Sequence, residues 1–190
     1  MNPNRCFEGT REGVSNKIVD WAKDFKQSPI LWLCGHPGTG KSVIAQTVVD
    51  QCEAHGLLVL TCFCSRDAVD HEHTCHICST LAIQLAQKHQ KVRSIVAEIL
   101  YMDGSVLYGT GSSQVEKLIV KPLKAADVPA LIVIDGLDEC GLPRKSQSDI
   151  ISALGRWVEE IPKVKFLVTS RPETQIAESF RSPAPQLSSS

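Results

Sequence analysis

A short apolar run, followed by a glycine-rich turn and an amphipathic segment, constrains the fold of this chain more than any other feature. Residues 30–34 are all apolar, which is typical of a parallel strand covered on both faces. Residues 41–54 carry apolar side chains at helical spacing, and residues 57–64 form a second apolar run. A strand, a tight turn, a helix and a strand make a βαβ unit, which builds a parallel sheet through a right-handed crossover. The sequence therefore predicts an α/β domain.

The remaining apolar patterns continue the alternation of helices and strands along the chain. Further strands are predicted at residues 130–135 and 165–169, and further helices at residues 11–26, 74–87, 91–101, 113–123 and 149–160. These elements predict a three-layer α/β/α fold, in which helices flank a parallel sheet. The domain itself is expected to span residues 30–181, after a helical lead-in over residues 1–29 and before a disordered tail over residues 182–190.

Two of the predicted helices carry more detailed expectations. The helix over residues 11–26 is expected to bury one apolar face, formed by Val14, Ile18, Trp21, Ala22 and Phe25. Pro122 lies near the end of the helix over residues 113–123. It is expected to end or kink that helix, because proline lacks an amide proton and its ring clashes with the preceding turn.

Composition and charge exclude several classes of protein. Twenty Lys and Arg residues against 21 Asp and Glu residues give a net charge of −1, so nucleic acid is not expected as a partner. No apolar run approaches the ~20 residues that span a bilayer, and residues 1–11 lack the apolar core of a secretory signal. We therefore expect a cytoplasmic chain with no membrane partner. In that reducing compartment the eight cysteines are expected to be free thiols.

The turn between the first strand and the next helix fits the phosphate-binding pattern G-x-x-x-x-G-K-[ST]. Its residues are Gly35, His36, Pro37, Gly38, Thr39, Gly40, Lys41 and Ser42. Glycines let the backbone curl so that amide groups point at a phosphate, and the following helix adds the positive end of its dipole. Lys41 would bind β- and γ-phosphate oxygens, and Ser42 would bind Mg²⁺. The pattern therefore predicts a nucleotide site.

Charged side chains follow two further predicted strands. Asp135 ends an apolar run at the carboxyl edge, where open α/β sheets bind ligands, and is expected to hold Mg²⁺. Asp138 and Glu139 follow closely, and either could orient the attacking water as a general base. Arg171 follows the fourth strand and could reach the γ-phosphate, or pair with Asp135 or Asp138.

Five segments together resemble the NACHT domain of fungal signalling NTPases of the STAND class, in particular the nephrocystin-3-like N-terminal domain. They are residues 6–11, 30–33, 64–66, 131–140 and 166–173. The resemblance covers roughly residues 6–180. It rests above all on the combination of Asp-Gly-Leu-Asp-Glu-Cys at residues 135–140 with Thr-Ser-Arg-Pro-Glu at residues 169–173.

The resemblance implies a function and a set of roles. Proteins of that family bind ATP or GTP with Mg²⁺, hydrolyse it slowly, and use the nucleotide state as a switch for oligomerisation in signalling or non-self recognition. By this resemblance residues 35–42 are the Walker A loop, Asp135 is the Walker B acid and Arg171 is the sensor arginine. Thr10 and Arg11 would lie near the base of the nucleotide.

The resemblance also implies that part of the fold is missing. Members usually continue into helical and winged-helix segments and then into repeats, so a truncated relative is expected. In their usual sheet order, the strand before the Walker A loop lies between the sensor strand and a fifth strand, for which residues after 180 offer no candidate. Residues 30–34 are then expected to form an exposed apolar edge strand that could aggregate or pair with another chain.

Three other functions stay open. A metal-binding module is suggested by a group of soft ligands, although their spacing matches no standard zinc pattern. The group comprises Cys62, Cys64, His71, His73, Cys75, His76 and Cys78. A phosphotransferase on the same scaffold would need a mobile basic lid, for which residues 143–145 are the candidate. The third is a domain that binds nucleotide without useful turnover and acts by assembly.

Overall fold

The computed structural model describes residues 12–64, 76–108, 112–140 and 144–181. Predictions about Thr10, Arg11, the segment 65–75 and the C-terminal tail lie outside these ranges. The helices and strands, in chain order, are α1 (Glu12–Lys23), β1 (Ile30–Cys34), α2 (Lys41–Ala54), β2 (Leu58–Phe63), α3 (His76–Lys88), α4 (Gln90–Met102), α5 (Ser112–Val115), α6 (Lys121–Ala126), β3 (Ala130–Asp135), α7 (Arg144–Glu160), β4 (Val164–Ser170) and α8 (Thr174–Arg181).

Three elements begin and end where the sequence predicts, namely β1, α2 and β3. Most other bounds shift by one to three residues. Helix α7 begins at Arg144 instead of residue 149, because the five added residues contain no glycine or proline that would stop a helix. No helix within the described ranges is both long enough and apolar enough to cross a lipid bilayer.

The four described strands form one parallel sheet in the order β1-β4-β3-β2. In the β1–β4 register Cys34 lies opposite Ser170, and in the β3–β4 register Ile134 lies opposite Val168. The predicted parallel sheet is confirmed. All strands therefore end at the same edge of the sheet, and β4 separates β1 from β3 there.

Helices cover both faces of the sheet and give it two apolar cores. On one face α1 and α2 pack against strand residues such as Leu131, Val133 and Leu167. On the other face α3, α4, α6, α7 and α8 pack against the alternate residues, such as Ile132 and Phe166. This alternation follows from the two-residue period of a strand. The predicted three-layer α/β/α arrangement is confirmed.

The buried face of α1 differs from the predicted one. Val14 is 42% exposed and Phe25 is 38% exposed, so neither belongs to the buried face. Ser15 and Val19 are buried instead, together with the predicted Ile18, Trp21 and Ala22. The buried stripe therefore runs at 15, 18, 19 and 22, and Phe25 falls outside it because the helix ends at Lys23.

A buried lysine ties the end of α1 to the sheet. Lys165 in β4 is 1% exposed, and its Nζ donates to the carbonyl oxygens of Gln27 at 3.0 Å and Ser28 at 3.1 Å. The same Nζ lies 4.8 Å from the centroid of the Trp21 ring, within the range of a cation–π interaction. These contacts fix the segment that leads from α1 into β1.

Pro122 does not end the helical segment in which it lies, so the expectation that it would end the helix was wrong. A π-helical segment, Glu116–Val120, precedes α6, and the N–H of Lys121 donates to the carbonyl of Glu116. Pro122 occupies the first turn of α6, which continues to Ala126. The wider π turn leaves room for the proline ring, and a first-turn position requires no amide proton.

The two edges of the sheet differ in how their backbone groups are satisfied. At the β2 edge, Thr61 N–H donates to Gln84 Oε1 at 2.9 Å, and Gln84 Nε2 donates to the Thr61 carbonyl at 2.8 Å. Lys88 Nζ donates to the Val59 carbonyl at 2.7 Å. Side chains of α3 therefore close this edge, whereas β1 forms the opposite edge.

Candidate functional site

The sequence-predicted site residues that the structure describes lie at the carboxyl edge of the sheet. The turn of residues 35–40 leaves the end of β1, and its first amide, Gly35 N–H, donates to the carbonyl of Ser170 at 3.3 Å. Asp135 ends β3, on the other side of β4. Neighbouring strands lie ~4.8 Å apart. The turn after β1 and the residues after β3 therefore begin roughly two strand spacings from each other.

The glycines of the 35–42 turn are required by its geometry. Gly38 and Gly40 have φ angles of 75° and 79°, in the left-handed region that other residues rarely adopt. A Cβ on Gly35 would stand 2.9 Å from Thr39 Oγ1. Thr39 Oγ1 in turn donates to the carbonyl of His36 at 2.8 Å. The turn is therefore a compact loop that its sequence can form without strain.

Lys41 folds back over this turn. Its Nζ donates to the carbonyl oxygens of Gly35 at 2.8 Å and His36 at 3.1 Å. Helix α2 begins at Lys41 without a side-chain cap and without an acidic residue in its first turn. The first amide groups of a helix point out along its axis, and there they carry a partial positive charge. The turn therefore presents an ammonium group, an uncapped helix start and the exposed hydroxyl of Ser42.

Asp135 is held by a buried threonine. Asp135 as a whole residue is 4% exposed, and its Oδ1 accepts a hydrogen bond of 2.5 Å from Thr169 Oγ1. Thr169 Oγ1 also accepts the N–H of Gly136 at 3.0 Å. The carboxylate thus has a fixed partner from the neighbouring strand.

Arg171 pairs with the two acidic residues that follow Asp135. Its backbone N–H donates to Asp138 Oδ1 at 3.0 Å, and its Nε lies 3.3 Å from Asp138 Oδ2. Its Nη2 donates to Glu139 Oε1 at 2.6 Å. The Asp138 side chain is 2% exposed, whereas that of Glu139 is 29% exposed. The sequence left Asp135 and Asp138 open as charge partners of Arg171. In the structure Arg171 pairs with Asp138, and it also pairs with Glu139, which the sequence did not predict.

A disulfide bond closes the acidic turn, so the prediction that all cysteines are free thiols was wrong. Cys140 is bonded to Cys64, the residue directly after β2, with a Cα–Cα distance of 4.9 Å. Cys64 N–H donates to the Asp135 carbonyl at 2.9 Å. Gly136 has a φ of 72°, and a Cβ there would lie 3.1 Å from the Cys64 carbonyl oxygen. This tight turn returns the chain towards β2, which brings together two cysteines 76 residues apart.

The alternative metal-binding group receives no support from its described members. Cys64 is bonded to Cys140, and Cys78 is buried in α3. Burial raises the pKa of Cys62 to about 11, which disfavours the thiolate that binds metals. His71, His73 and Cys75 lie outside the described residues. Within the part of the chain that the structure describes, no three His, Cys, Asp or Glu residues are grouped to hold a metal ion.

A cavity lies at the opposite, amino edge of the sheet. Its volume is about 600 Å³, and its walls include Leu57, Lys88 and Pro129. Lys88 is already bonded to Glu53, at 2.6 Å, and to the Val59 carbonyl. None of the sequence-predicted site residues lines it.

The structure thus brings residues 35–42, Asp135, Asp138, Glu139 and Arg171 to one edge, while Thr10 and Arg11 lie outside the described residues. Sequence reasoning missed Thr169 as a partner of Asp135 and the Cys64–Cys140 bond. The available signal was the hydroxyl residue that opens the motif at residues 169–173, at the end of a predicted strand whose carboxyl end lies at the same edge as Asp135.

The described elements define a three-layer α/β protein whose charged side chains converge where its parallel strands end. A sequence model of the family described as nephrocystin 3, N-terminal, matches residues 12–171 of the 190 in the chain. The chain therefore belongs to the nephrocystin 3 N-terminal family. No curated protein and no solved structure matches it.

Proposed function

We propose that the chain binds a Mg²⁺–nucleoside triphosphate, ATP or GTP, at the carboxyl edge of its sheet. The observation that carries the proposal is the turn of residues 35–42, between β1 and α2, with the Lys41 ammonium folded over it. Two backbone carbonyls hold that ammonium in the described structure. A triphosphate would offer it fully charged oxygens in exchange, and charge-assisted hydrogen bonds are the stronger ones.

The donor set supports a magnesium ion in this site. Mg²⁺ prefers oxygen ligands and is commonly bound by one or two protein groups together with substrate phosphates. Ser42 offers an exposed hydroxyl and Asp135 a carboxylate whose Oδ1 is already bonded to Thr169. Bound there, the ion would neutralise charge on the β- and γ-phosphates. Ser42 and Asp135 are the residues that would hold it.

We propose that hydrolysis is slow at most, and that the domain acts as the nucleotide switch of a NACHT-type signalling NTPase of the fungal STAND class. Glu139 is the better candidate for orienting a water, because Asp138 is 2% exposed and faces Arg171 through both carboxylate oxygens. Arg171 is itself paired with Glu139, so it would have to leave that pair to contact a phosphate. Family membership and the combination of these residues support this proposal.

The proposal is tested by calorimetric titration of the full chain with Mg-ATP and Mg-GTP. Lys41→Ala should weaken binding at least ~10-fold, since a hydrogen bond to a charged group is worth ~1.5–3 kcal/mol. Lys91→Ala is the matched control, because Lys91 is an exposed lysine on α4. Equal affinities of Lys41→Ala and the parent chain would refute the assignment.

We further propose that the chain associates with a second chain through the outer side of β1. Phe166 N–H donates to the Pro29 carbonyl, and Gly35 N–H donates to that of Ser170. Backbone groups alternate sides along a strand, so the N–H groups of Ile30 and Trp32 point away from β4. Helix α8 contacts one face of β1, since the Trp32 ring stacks on Phe180 with centroids 4.8 Å apart. The backbone edge is a template for pairing.

Sedimentation velocity over a range of protein concentrations, with and without Mg-nucleotide, tests this pairing. Ile30→Pro removes an outward N–H and should shift the chain to monomer. Ile30→Val also removes one side-chain carbon but keeps the N–H, so it should still associate. A parent chain that stays monomeric at every concentration, in either nucleotide state, would contradict pairing through β1.

A further inference from the structure

Thr169 stands between the two halves of the proposed site. It is the sixth residue of β4, the strand that separates the turn of residues 35–42 from Asp135. Its side chain is completely buried. Its hydroxyl makes two contacts, with Gly136 N–H at 3.0 Å and with Asp135 Oδ1 at 2.5 Å.

The direction of both hydrogen bonds follows from the groups involved. A backbone N–H can only donate and an ionised carboxylate can only accept, whereas a hydroxyl has one proton and two lone pairs. Gly136 therefore donates to Thr169, and the single proton of Thr169 goes to Asp135 Oδ1. This is the one assignment of donors and acceptors that satisfies both neighbours of the hydroxyl.

This arrangement limits how Asp135 can turn. One of its two oxygens is committed to β4, and the pairing of Ile134 with Val168 keeps the two strands in register just before this contact. The amide of Gly136 holds the same hydroxyl in place from the other side. The second oxygen, Oδ2, is left to meet a ligand in one orientation.

We propose that Thr169 is a positioning residue, which sets the orientation in which Asp135 meets Mg²⁺. This inference rests on the proposed function, because it assigns a role within the same nucleotide site. Thr169 acts through Asp135 and does not itself contact the nucleotide. Loss of a group that orients a metal ligand typically weakens metal affinity ~10- to 100-fold.

The test compares binding of a fluorescent ATP analogue to the full chain in Mg²⁺ and in EDTA. Thr169→Val keeps the shape of the side chain but removes the hydroxyl, and should abolish most of the gain in affinity that Mg²⁺ gives. Thr169→Ser restores the hydroxyl and should restore that gain. Thr61→Val makes the same chemical change in β2, away from the site, and should leave the gain intact.

A double-mutant comparison shows whether Thr169 acts through Asp135. In an Asp135→Asn background, Thr169→Val should cause no further loss of the Mg²⁺ effect, since the carboxylate that it positions is gone. Thermal unfolding checks that each variant is folded. If Thr169→Val does not fold, Thr169→Ala, which adds no misplaced methyl group, takes its place.

Each outcome separates the inference from the function on which it rests. A parent chain that binds no nucleotide in either buffer would overturn the proposed function itself. A parent chain that binds equally well in Mg²⁺ and EDTA would overturn the magnesium site, and with it the role of Thr169, but would leave nucleotide binding itself standing. The role of Thr169 alone is overturned if the folded Thr169→Val variant keeps the full Mg²⁺ gain, if it loses affinity equally in both buffers, or if Thr169→Ser fails to restore the gain.

Discussion

Removing the Cys64–Cys140 bond should lower the free energy of unfolding by several kcal/mol. The bond joins positions 76 residues apart. In the chain-entropy description, closing a loop of that length costs the unfolded chain about 4.5 kcal/mol at 25 °C, and losing a native disulfide typically costs ~2–5 kcal/mol. Cys140→Ser should therefore shift the guanidinium midpoint down by roughly 1 M, for an unfolding slope of ~4 kcal/mol per M.

Tryptophan fluorescence during guanidinium denaturation measures this effect. Cys34→Ser, at an exposed free cysteine, is the matched control and should leave the midpoint unchanged. Dithiothreitol should lower the midpoint of the parent chain to that of Cys140→Ser, and should leave the variant itself unaffected. Equal midpoints of the parent chain with and without reductant would refute the reasoning, as would a non-reduced digest that lacks a peptide linking Cys64 to Cys140.

Three further perturbations give expected results of defined direction. Gly136→Ala should destabilise the fold by roughly 1–3 kcal/mol, because its φ is 72° and a Cβ would meet the Cys64 carbonyl. Gly13→Ala should not destabilise the fold, because the space around Gly13 is open. Denaturation of both variants measures the difference. Lys165→Met should cost ~1–3 kcal/mol by leaving two buried carbonyls without a donor. Burial lowers the pKa of Lys165 in the folded chain below 10.5. Between that lowered pKa and 10.5, the unfolded chain therefore binds more protons than the folded chain does. The stability of the parent relative to Lys165→Met should therefore increase over that interval, and a decrease would contradict this assignment. Burial raises the Cys62 pKa to about 11, so iodoacetamide at pH 8 should alkylate Cys34 well before Cys62, as peptide mass spectrometry can measure.

Local patterns were enough to predict the elements that position the site. The apolar run of residues 30–34, the glycine-rich turn and the helix after it occur where the sequence predicts, and so does the strand that ends at Asp135. Because parallel strands end at one edge, the sequence also predicted that Asp135, the turn and Arg171 would share it. These features depend on periodicity and chain order, which a sequence displays directly.

Predictions were wrong at the cysteines and at Pro122, and one set of alternatives, the partners of Arg171, was left open by the sequence. The Cys64–Cys140 bond depends on a turn at Gly136 that returns the chain to β2, and nothing local to either cysteine reveals it. The partners of Arg171 depend on the register between β3 and β4, which fixes Asp138 against its backbone. At Pro122 the local rule was overridden by a π turn directly upstream. Tertiary geometry therefore decided the disulfide and the partners of Arg171, whereas the backbone just upstream decided the outcome at Pro122.

The sequence analysis also did not predict that side chains of α3 would bond to the backbone of one sheet edge. Gln84 satisfies both backbone groups of Thr61, although Gln84 belongs to a helix 23 residues further along the chain. Such a contact depends on how α3 packs along β2. The helical period alone predicts only that α3 has one buried face.

Hydrogen–deuterium exchange of the full chain, with and without Mg-nucleotide, tests the central claim most directly. Bound nucleotide should slow exchange in two segments that are distant in sequence, the turn of residues 35–42 with the start of α2, and residues 135–139 after β3. Protection confined to one of these segments, or protection around the cavity at the amino edge, would contradict a single nucleotide site at the carboxyl edge.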